Sequence, residues 1–361
     1  MWIYLLLGAG LFMGWSLGTN DAANAFGTAV ATRVVKYRTA IIIIAAMVVL
    51  GAVLLGHNNI DKLSSIATNN EVTASAEDVE QAIANGTLED LRIKSAIKAF
   101  IIFACAAITV FVMSYLKFPV SANQSITGAV IGWGLCYADY SNPDILKGNV
   151  AEMLEFASTW LINPLGAALI SFVLVFIVKK FIEKRLTSMK NYDIVVKIGY
   201  IAAGAFSAFS IGQNSSASVT AFYYDATGQG ANLIYADNGF FTAARVTAII
   251  GGVAIAVGVL TFSKRVMMTV GGSIAEISQV DGFVVIVASA LTVLLMGKFM
   301  GIPVSTSQSV VGAVVGAGLV NGVKKVNFGV FKRIAIAWVS SPTAAGLLTY
   351  LVALATKSYF G

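Results

Sequence analysis

Asn20, Asp21 and Asn24 stand together in "GTNDAANAFG" (18–27), inside the first long apolar run of the chain. Asn20 and Asn24 are one helical turn apart and Asp21 is three residues from Asn24, so a helix lets all three share one face. Asp21 is the only acid between residues 1 and 60. An ionisable group inside an apolar span costs about 2.5–3.5 kcal/mol on insertion scales and marks ion or substrate paths. Amide oxygens beside a carboxylate suit a small cation such as Na⁺, with Asp21 and Asn24 as ligands. The same carboxylate could instead accept the proton of HPO₄²⁻, or be a neutral group bonding one helix to another.

A second set of polar residues is duplicated. "PVSANQSITGAVIGWGL" (119–135) and "PVSTSQSVVGAVVGAGL" (303–319) agree at 11 of 17 positions. In each, a proline starts a helical stretch, where its missing N–H costs nothing. The following turn leaves backbone donors unpaired. Ser121, Gln124, Ser125 and Gly128 fall on one face, as do Ser305, Gln308, Ser309 and Gly312, and Thr306 adds a hydroxyl to the second copy. Two such N-termini converging would hold a tetrahedral oxyanion without any Lys or Arg, and could therefore release it. Any single serine is better read as helix packing, whereas the repeated Ser-x-x-Gln-Ser unit points to a site. Thr127 and Ser218 are the further hydroxyls expected around sodium.

These residues need a membrane to make sense. Of 361 residues, 57% are hydrophobic and 12% charged, and the mean hydropathy is +0.81. That composition predicts an all-α, polytopic membrane protein with no soluble domain. The N-terminus "MWIYLLLGAG" lacks the basic region of a cleaved signal, so the first segment is expected to be retained. Cys105 and Cys136 lie in apolar runs and read as packing residues. The net charge of +6 reflects basic loops rather than a nucleic-acid surface.

Ten apolar segments are predicted: 2–32, 39–56, 97–116, 118–138, 150–178, 194–222, 240–262, 283–297, 299–320 and 333–355. Basic clusters follow the first (Arg33, Lys36, Arg38), fifth (Lys179, Lys180, Lys184, Arg185, Lys190), seventh (Lys264, Arg265) and ninth (Lys324, Lys325). If every segment crosses once, all four clusters share one side, which the positive-inside rule makes cytoplasmic. Both termini are then extracytoplasmic, as is the acidic loop 57–96. Lys117 and Lys298, each shortly before a proline, could mark helix breaks or re-entrant turns.

The duplication runs beyond the proline motifs. "WSLGTNDAAN" (15–24) aligns with "FSIGQNSSAS" (209–218), placing Asn214 opposite Asn20, and Trp160 and Pro164 align with Trp338 and Pro342. Each copy holds five segments, an odd number, so the second is expected to enter the membrane from the opposite face. The predicted architecture is two inverted repeats, 1–190 and 191–361, meeting near the bilayer midplane at broken or re-entrant helices.

"GTNDAANAFG" resembles the Gly-Ala-Asn-Asp-Val-Ala-Asn-Ala signature of the inorganic phosphate transporter family, the PiT permeases. "FPVS" and "IPVSTSQSVVGAVVGAGL" are similar to that family's Pro-Val-Ser-Thr-Thr-His segments, and "KRVMMTVGGSIAEIS" (264–278) to the stretch before the second of them. The resemblance implies a cation-coupled phosphate symporter of the plasma membrane, often dimeric, whose partners are phosphate, Na⁺ and the bilayer. Substrate contacts are then expected from Asn20, Asp21, Ser121, Gln124, Ser125, Asn214, Ser305, Thr306, Gln308 and Ser309. There are departures. Gln124 and Gln308 replace histidines, which favours sodium over proton coupling; Ser215 and Ser218 replace the second Asp and Asn; Ile286 stands where a glutamate is expected. The site should be asymmetric, and a sulfate permease is the nearest alternative.

Other classes fit less well. A channel has less need of Asp21, and a membrane phosphatase would need a nucleophile with an acid or base, for which no cluster appears. No enzymatic activity and no cofactor beyond the coupling ion are expected. His57 is read as interfacial and Arg245 as snorkelling. "YYDATGQGANLIYADNG" (223–239) lacks a P-loop lysine and reads as an external loop.

Overall fold

The computed structural model describes residues 2–59, 76–116, 118, 120–137, 143–181, 188–225, 242–270, 277–300 and 304–360. Twelve α-helices account for nearly all of their regular structure: α1 (Trp2–Ala31), α2 (Tyr37–Leu55), α3 (Ala76–Ala84), α4 (Leu88–Tyr115), α5 (Ala122–Tyr137), α6 (Pro143–Phe181), α7 (Met189–Asp225), α8 (Ala243–Phe262), α9 (Lys264–Val270), α10 (Gln279–Met300), α11 (Thr306–Asn321) and α12 (Phe328–Phe360). Each of the ten predicted segments coincides with one of them. Seven, namely α2, α4, α6, α7, α8, α10 and α12, are long and apolar enough to cross a bilayer.

The boundaries differ where charge begins a helix. α4 starts at Leu88 rather than 97, because Glu89 and Asp90 in its first turn complement the positive end of the helix dipole. The predicted loop 57–96 therefore contains both α3 and the start of α4. Lys298 lies two residues before the end of α10 at Met300, and α11 begins separately at Thr306, its end Asn321 bonded to Asp281 at the start of α10, while Lys117 and most of the 223–239 segment fall outside the described residues.

α5 and α11, at 16 residues each, are about 24 Å long, short of the roughly 30 Å of hydrocarbon. Their N-terminal ends are buried in protein: Val120 is fully buried, as are Ser121, Val304 and Ser305 within a few per cent. Irregular backbone at membrane depth is tolerated in such protected places.

Helix packing follows the duplication but crosses between its copies. Gly128 and Gly132 of α5 sit on the backbone of α12, where a Cβ would come within 2.2 Å of the Pro342 carbonyl oxygen or 2.0 Å of that of Gly346. Gly312 and Gly316 of α11 repeat this against Pro164 and Ala168 of α6, at 2.2 and 2.1 Å. A second group shows the same exchange: Gly18 of α1 abuts Ile255 of α8, and the aligned Gly212 of α7 abuts Val48 of α2. Small residues thus let backbones touch. α4 and α10 join the groups, α4 packing on α1, α5 and α12, and α10 on α7, α11 and α6.

Each short helix ends against a lysine from the long helix it crosses. Lys357 of α12 donates to the Cys136 carbonyl at the end of α5, 3.1 Å away. Lys179 of α6 donates to Asn321 at the end of α11 and lies 3.4 Å from the buried Asp281 of α10. Cations there complement the negative ends of both helices. Asp281 also accepts from Asn321 Nδ2 at 2.9 Å and from the Ser278 N–H at 3.2 Å.

Candidate functional site

The starts of α5 and α11 meet in a buried place. Asn123 Nδ2 donates to the Val304 carbonyl at 3.0 Å, and Ser307 Oγ donates to the Val120 carbonyl at 3.0 Å. These two bonds are equivalent under the duplication, since 123 aligns with 307 and 120 with 304. Each helix tip is clasped by the first turn of the other. Ser121 and Ser305 cap their helices, accepting from the N–H groups of Gln124 and Gln308 at 3.2 Å each. The earlier N–H groups, of Ala122, Asn123, Thr306 and Ser307, have no carbonyl available within their own helices. Two sets of donors therefore converge on one place, with no Lys or Arg in either motif.

Asparagines from α1 and α7 fix these tips. Asn214 pairs reciprocally with Val304, donating to its carbonyl at 2.9 Å and accepting from its N–H at 3.0 Å. Asn20, its aligned counterpart, donates to Ser114 Oγ at 2.8 Å and to the Phe118 carbonyl at 3.4 Å. The amides thus hold backbone where helical bonding has stopped.

Asp21 lies against α11. Its Oδ2 accepts from Thr306 Oγ1 at 2.8 Å and its Oδ1 from Asn24 Nδ2 at 3.1 Å. Asn24 Nδ2 also lies 3.2 Å from both Thr306 Oγ1 and Ser307 Oγ. All four residues are buried. The related positions of the other half are Ser215, Ser218, Ala122 and Asn123, so the carboxylate cluster exists once. Ser218 Oγ is buried without a hydrogen-bond partner, and Thr127 Oγ1 donates to Asn123 O at 3.0 Å within its own helix. Among the described residues no hydrogen bond joins either of them to Asp21.

The stripe of Ser, Gln and Ser faces elsewhere. Gln124 and Gln308 line a lateral cavity with Trp160 and Trp338, and Gly128 and Gly312 back onto the proline-containing helices. Ser309 Oγ donates to Asn163 Oδ1 at 2.7 Å, with Ser305 O a second acceptor at 3.1 Å; Asn163 Nδ2 in turn donates to Ser305 O at 2.8 Å. Among the described residues the Ser125 side chain makes only the local bond, 3.1 Å to Ser121 O. Ser309→Ala would leave a buried Asn163 acceptor without its donor, and is expected to weaken the apparent affinity for the transported anion about fivefold to tenfold. Ser125→Ala should change it less than about twofold. Concentration-dependent uptake by the two variants measures the difference, and equal effects would contradict the assignment of Asn163 as the support of α11.

Asn123, Ser307, Asn163 and Ser114 are the contributors that the sequence did not single out. Asn123 and Ser307 sit within the duplicated motif at a position where the copies differ, so the repeat itself draws attention away from them. Of the other polar residues, Arg245 is half-buried, its Nη2 3.4 Å from His57 Nε2.

The model of the phosphate transporter family matches residues 17–349. The chain belongs to the phosphate transporter family. Among relatives, the "Putative phosphate permease TK2061" of Thermococcus kodakarensis is 26% identical over 97% of both chains. The "Putative phosphate permease MJ0630" of Methanocaldococcus jannaschii is 25% identical over 93% of this chain and 92% of its own. A solved structure described as "The sodium-dependent phosphate transporter" shares the fold, with a TM-score of 0.75, 24% identity and coverage of 99% of this chain and 100% of that one. Membership in the phosphate transporter family, with seven apolar helices of spanning length among the described residues, makes the chain a multi-pass membrane protein.

Proposed function

We propose that the protein imports inorganic phosphate across the cell membrane by symport with Na⁺, at a site between two inverted repeats, 1–190 and 191–361, that opens alternately to each side. The reading rests on one observation: two helix N-termini clasp each other beside a single buried carboxylate. Converging N–H donors and hydroxyls suit a tetrahedral anion. Asp21 with Thr306 suits a cation bound next to it, whose charge offsets that of the anion. Two Na⁺ is the smallest number that neutralises HPO₄²⁻. The name of the solved relative, a sodium-dependent phosphate transporter, supports the choice of ion.

Alternating access fits the crossed packing. Each helix tip takes one bond from the other repeat, through Asn123 and Ser307, so a rotation of one group of helices against the other exchanges these contacts while the site stays at the seam. The basic clusters favour a cytoplasmic face at Lys179 and Lys264, with both termini outside. Association as a homodimer, implied by the family resemblance, belongs to the same reading.

Phosphate is separated from sulfate by its proton. At neutral pH much of the phosphate can donate a hydrogen bond that sulfate lacks, and Asp21 is the strongest acceptor at the site. Uptake of labelled phosphate into proteoliposomes across a pH series should be unaffected by a tenfold excess of sulfate. Equal competition by sulfate would replace this reading with an oxyanion permease that senses only shape and charge.

A further inference from the structure

A cavity of about 430 Å³ opens between α6, α11 and α12, and its chemistry does not match the anion site. Its rim is apolar and outward-facing: Leu161 and Leu165 are each 69% exposed and Val339 62%. Side chains of that kind on spanning helices place the mouth in hydrocarbon rather than water. The inner wall is different. Gln124 lines it and is 97% buried (3% exposed), yet neither its Oε1 nor its Nε2 has a hydrogen-bond partner. Trp338 also lines it, 6% exposed, with its indole N–H unpartnered. Leaving such groups without partners is costly at membrane depth.

A neighbouring cavity of about 460 Å³ provides an internal comparison. It is bounded by the aligned positions of the other half, Gly128 for Gly312, Ile131 for Val315 and Pro342 for Pro164. None of the buried unpartnered polar atoms belongs to its lining. An acyl chain suffices to fill that one. In the first cavity an acyl chain would cover the walls and leave the Gln124 amide and the Trp338 N–H unmet.

We propose that the cavity lined by Gln124 and Trp338 binds a neutral amphiphile from the bilayer, with an alkyl chain along the Leu161–Leu165 wall and one polar group that both donates and accepts. An alcohol or primary amide has this chemistry. It accepts from the Trp338 N–H or Gln124 Nε2 and donates to Gln124 Oε1. A charged head is excluded, because the lining contains no ionisable side chain and none of Ala122, Asn123, Thr306 and Ser307, whose unpaired N–H groups mark the anion site, to offset its desolvation. Phosphate and sodium are excluded on the same ground, so the site is distinct from the one proposed for transport. Its occupancy would wedge α11 against α6, the contact that Asn163 makes with Ser305 and Ser309.

The test is binding rather than uptake, and its outcome does not depend on what the protein transports. Trp338 lines this cavity alone, whereas Trp160 also lines the neighbouring one, so Trp160→Phe leaves Trp338 as the reporter of a heavy atom here. 8-Bromooctan-1-ol added to the full-length Trp160→Phe protein in nanodiscs is expected to quench part of the tryptophan emission saturably, whereas 1-bromooctane, lacking the hydroxyl, should quench only in proportion to its partitioning. Gln124→Leu should raise the half-saturating concentration about fivefold. Val339→Phe, at the exposed rim, should abolish saturation while leaving the inner wall intact, and so decides the matter if the glutamine variant does not fold. Parallel, unsaturable quenching by both probes in the Trp160→Phe protein would overturn the proposal. No quenching from a protein of dimeric mass would also overturn it, and would assign this face to a second copy.

Discussion

Asp21→Asn is expected to abolish concentrative, sodium-driven uptake while leaving the protein folded. The substitution is isosteric, and the new amide oxygen can still accept from Thr306 Oγ1, now 2.8 Å from Asp21 Oδ2. The lost properties are the charge and the acceptor for Asn24 Nδ2, 3.1 Å from Asp21 Oδ1, a bond that a flip of the Asn24 amide restores. A bound cation would then face only neutral oxygens from Asn24, Thr306 and Ser307, and interactions of a charged group are worth about 1.5–3 kcal/mol, or roughly tenfold to a hundredfold in sodium affinity. The aligned position in the other half is Ser215, so no second acid can substitute. Sodium dependence of phosphate uptake in proteoliposomes, with thermal stability in detergent as the control for folding, measures the effect. Wild-type accumulation by this variant would show that Asp21 serves only as a bond between helices.

Asn214→Ala should come next in size, acting on the anion rather than the cation. Asn214 supplies both a donor and an acceptor to the backbone of Val304, immediately before the cap of α11. Alanine leaves the Val304 N–H buried without a partner, at a cost of about 1–3 kcal/mol, although Asn123 still bonds its carbonyl. The N–H groups of Thr306 and Ser307 then lose their fixed direction. Apparent phosphate affinity is expected to fall tenfold or more, roughly. Asn20→Ala is the internal comparison: its contact with backbone is the longer one, 3.4 Å to Phe118, so a smaller loss of about fivefold is expected. Unchanged affinity in Asn214→Ala would show that the tip is held by other means.

The helices were legible in the sequence because a bilayer demands about 20 apolar residues and charge between them. Their ends were less so. α4 runs nine residues further than its apolar part, since Glu89 and Asp90 suit a helix start as well as a loop. The first half of the site was legible for a related reason: Asp21 and Asn24 are costly in lipid, and the structure joins them to each other and to Thr306. The face of α5 and α11 was not. Helical spacing groups Ser121, Gln124 and Ser125 but does not say what they meet. That depends on the crossing of α5 over α12 and α11 over α6, which is set by contacts between residues about 150 to 220 apart. Asn163 was invisible for the same reason, being a single amide in an apolar helix until α11 is laid against it.

Sodium coupling of phosphate is the central claim, and it is tested most directly by labelled phosphate uptake into proteoliposomes holding the wild-type protein, with sodium and proton gradients imposed separately. Accumulation driven by an inward sodium gradient, and absent with a proton gradient alone, is the expected result. Accumulation driven by protons without sodium, or equilibration that ignores both gradients, would contradict it.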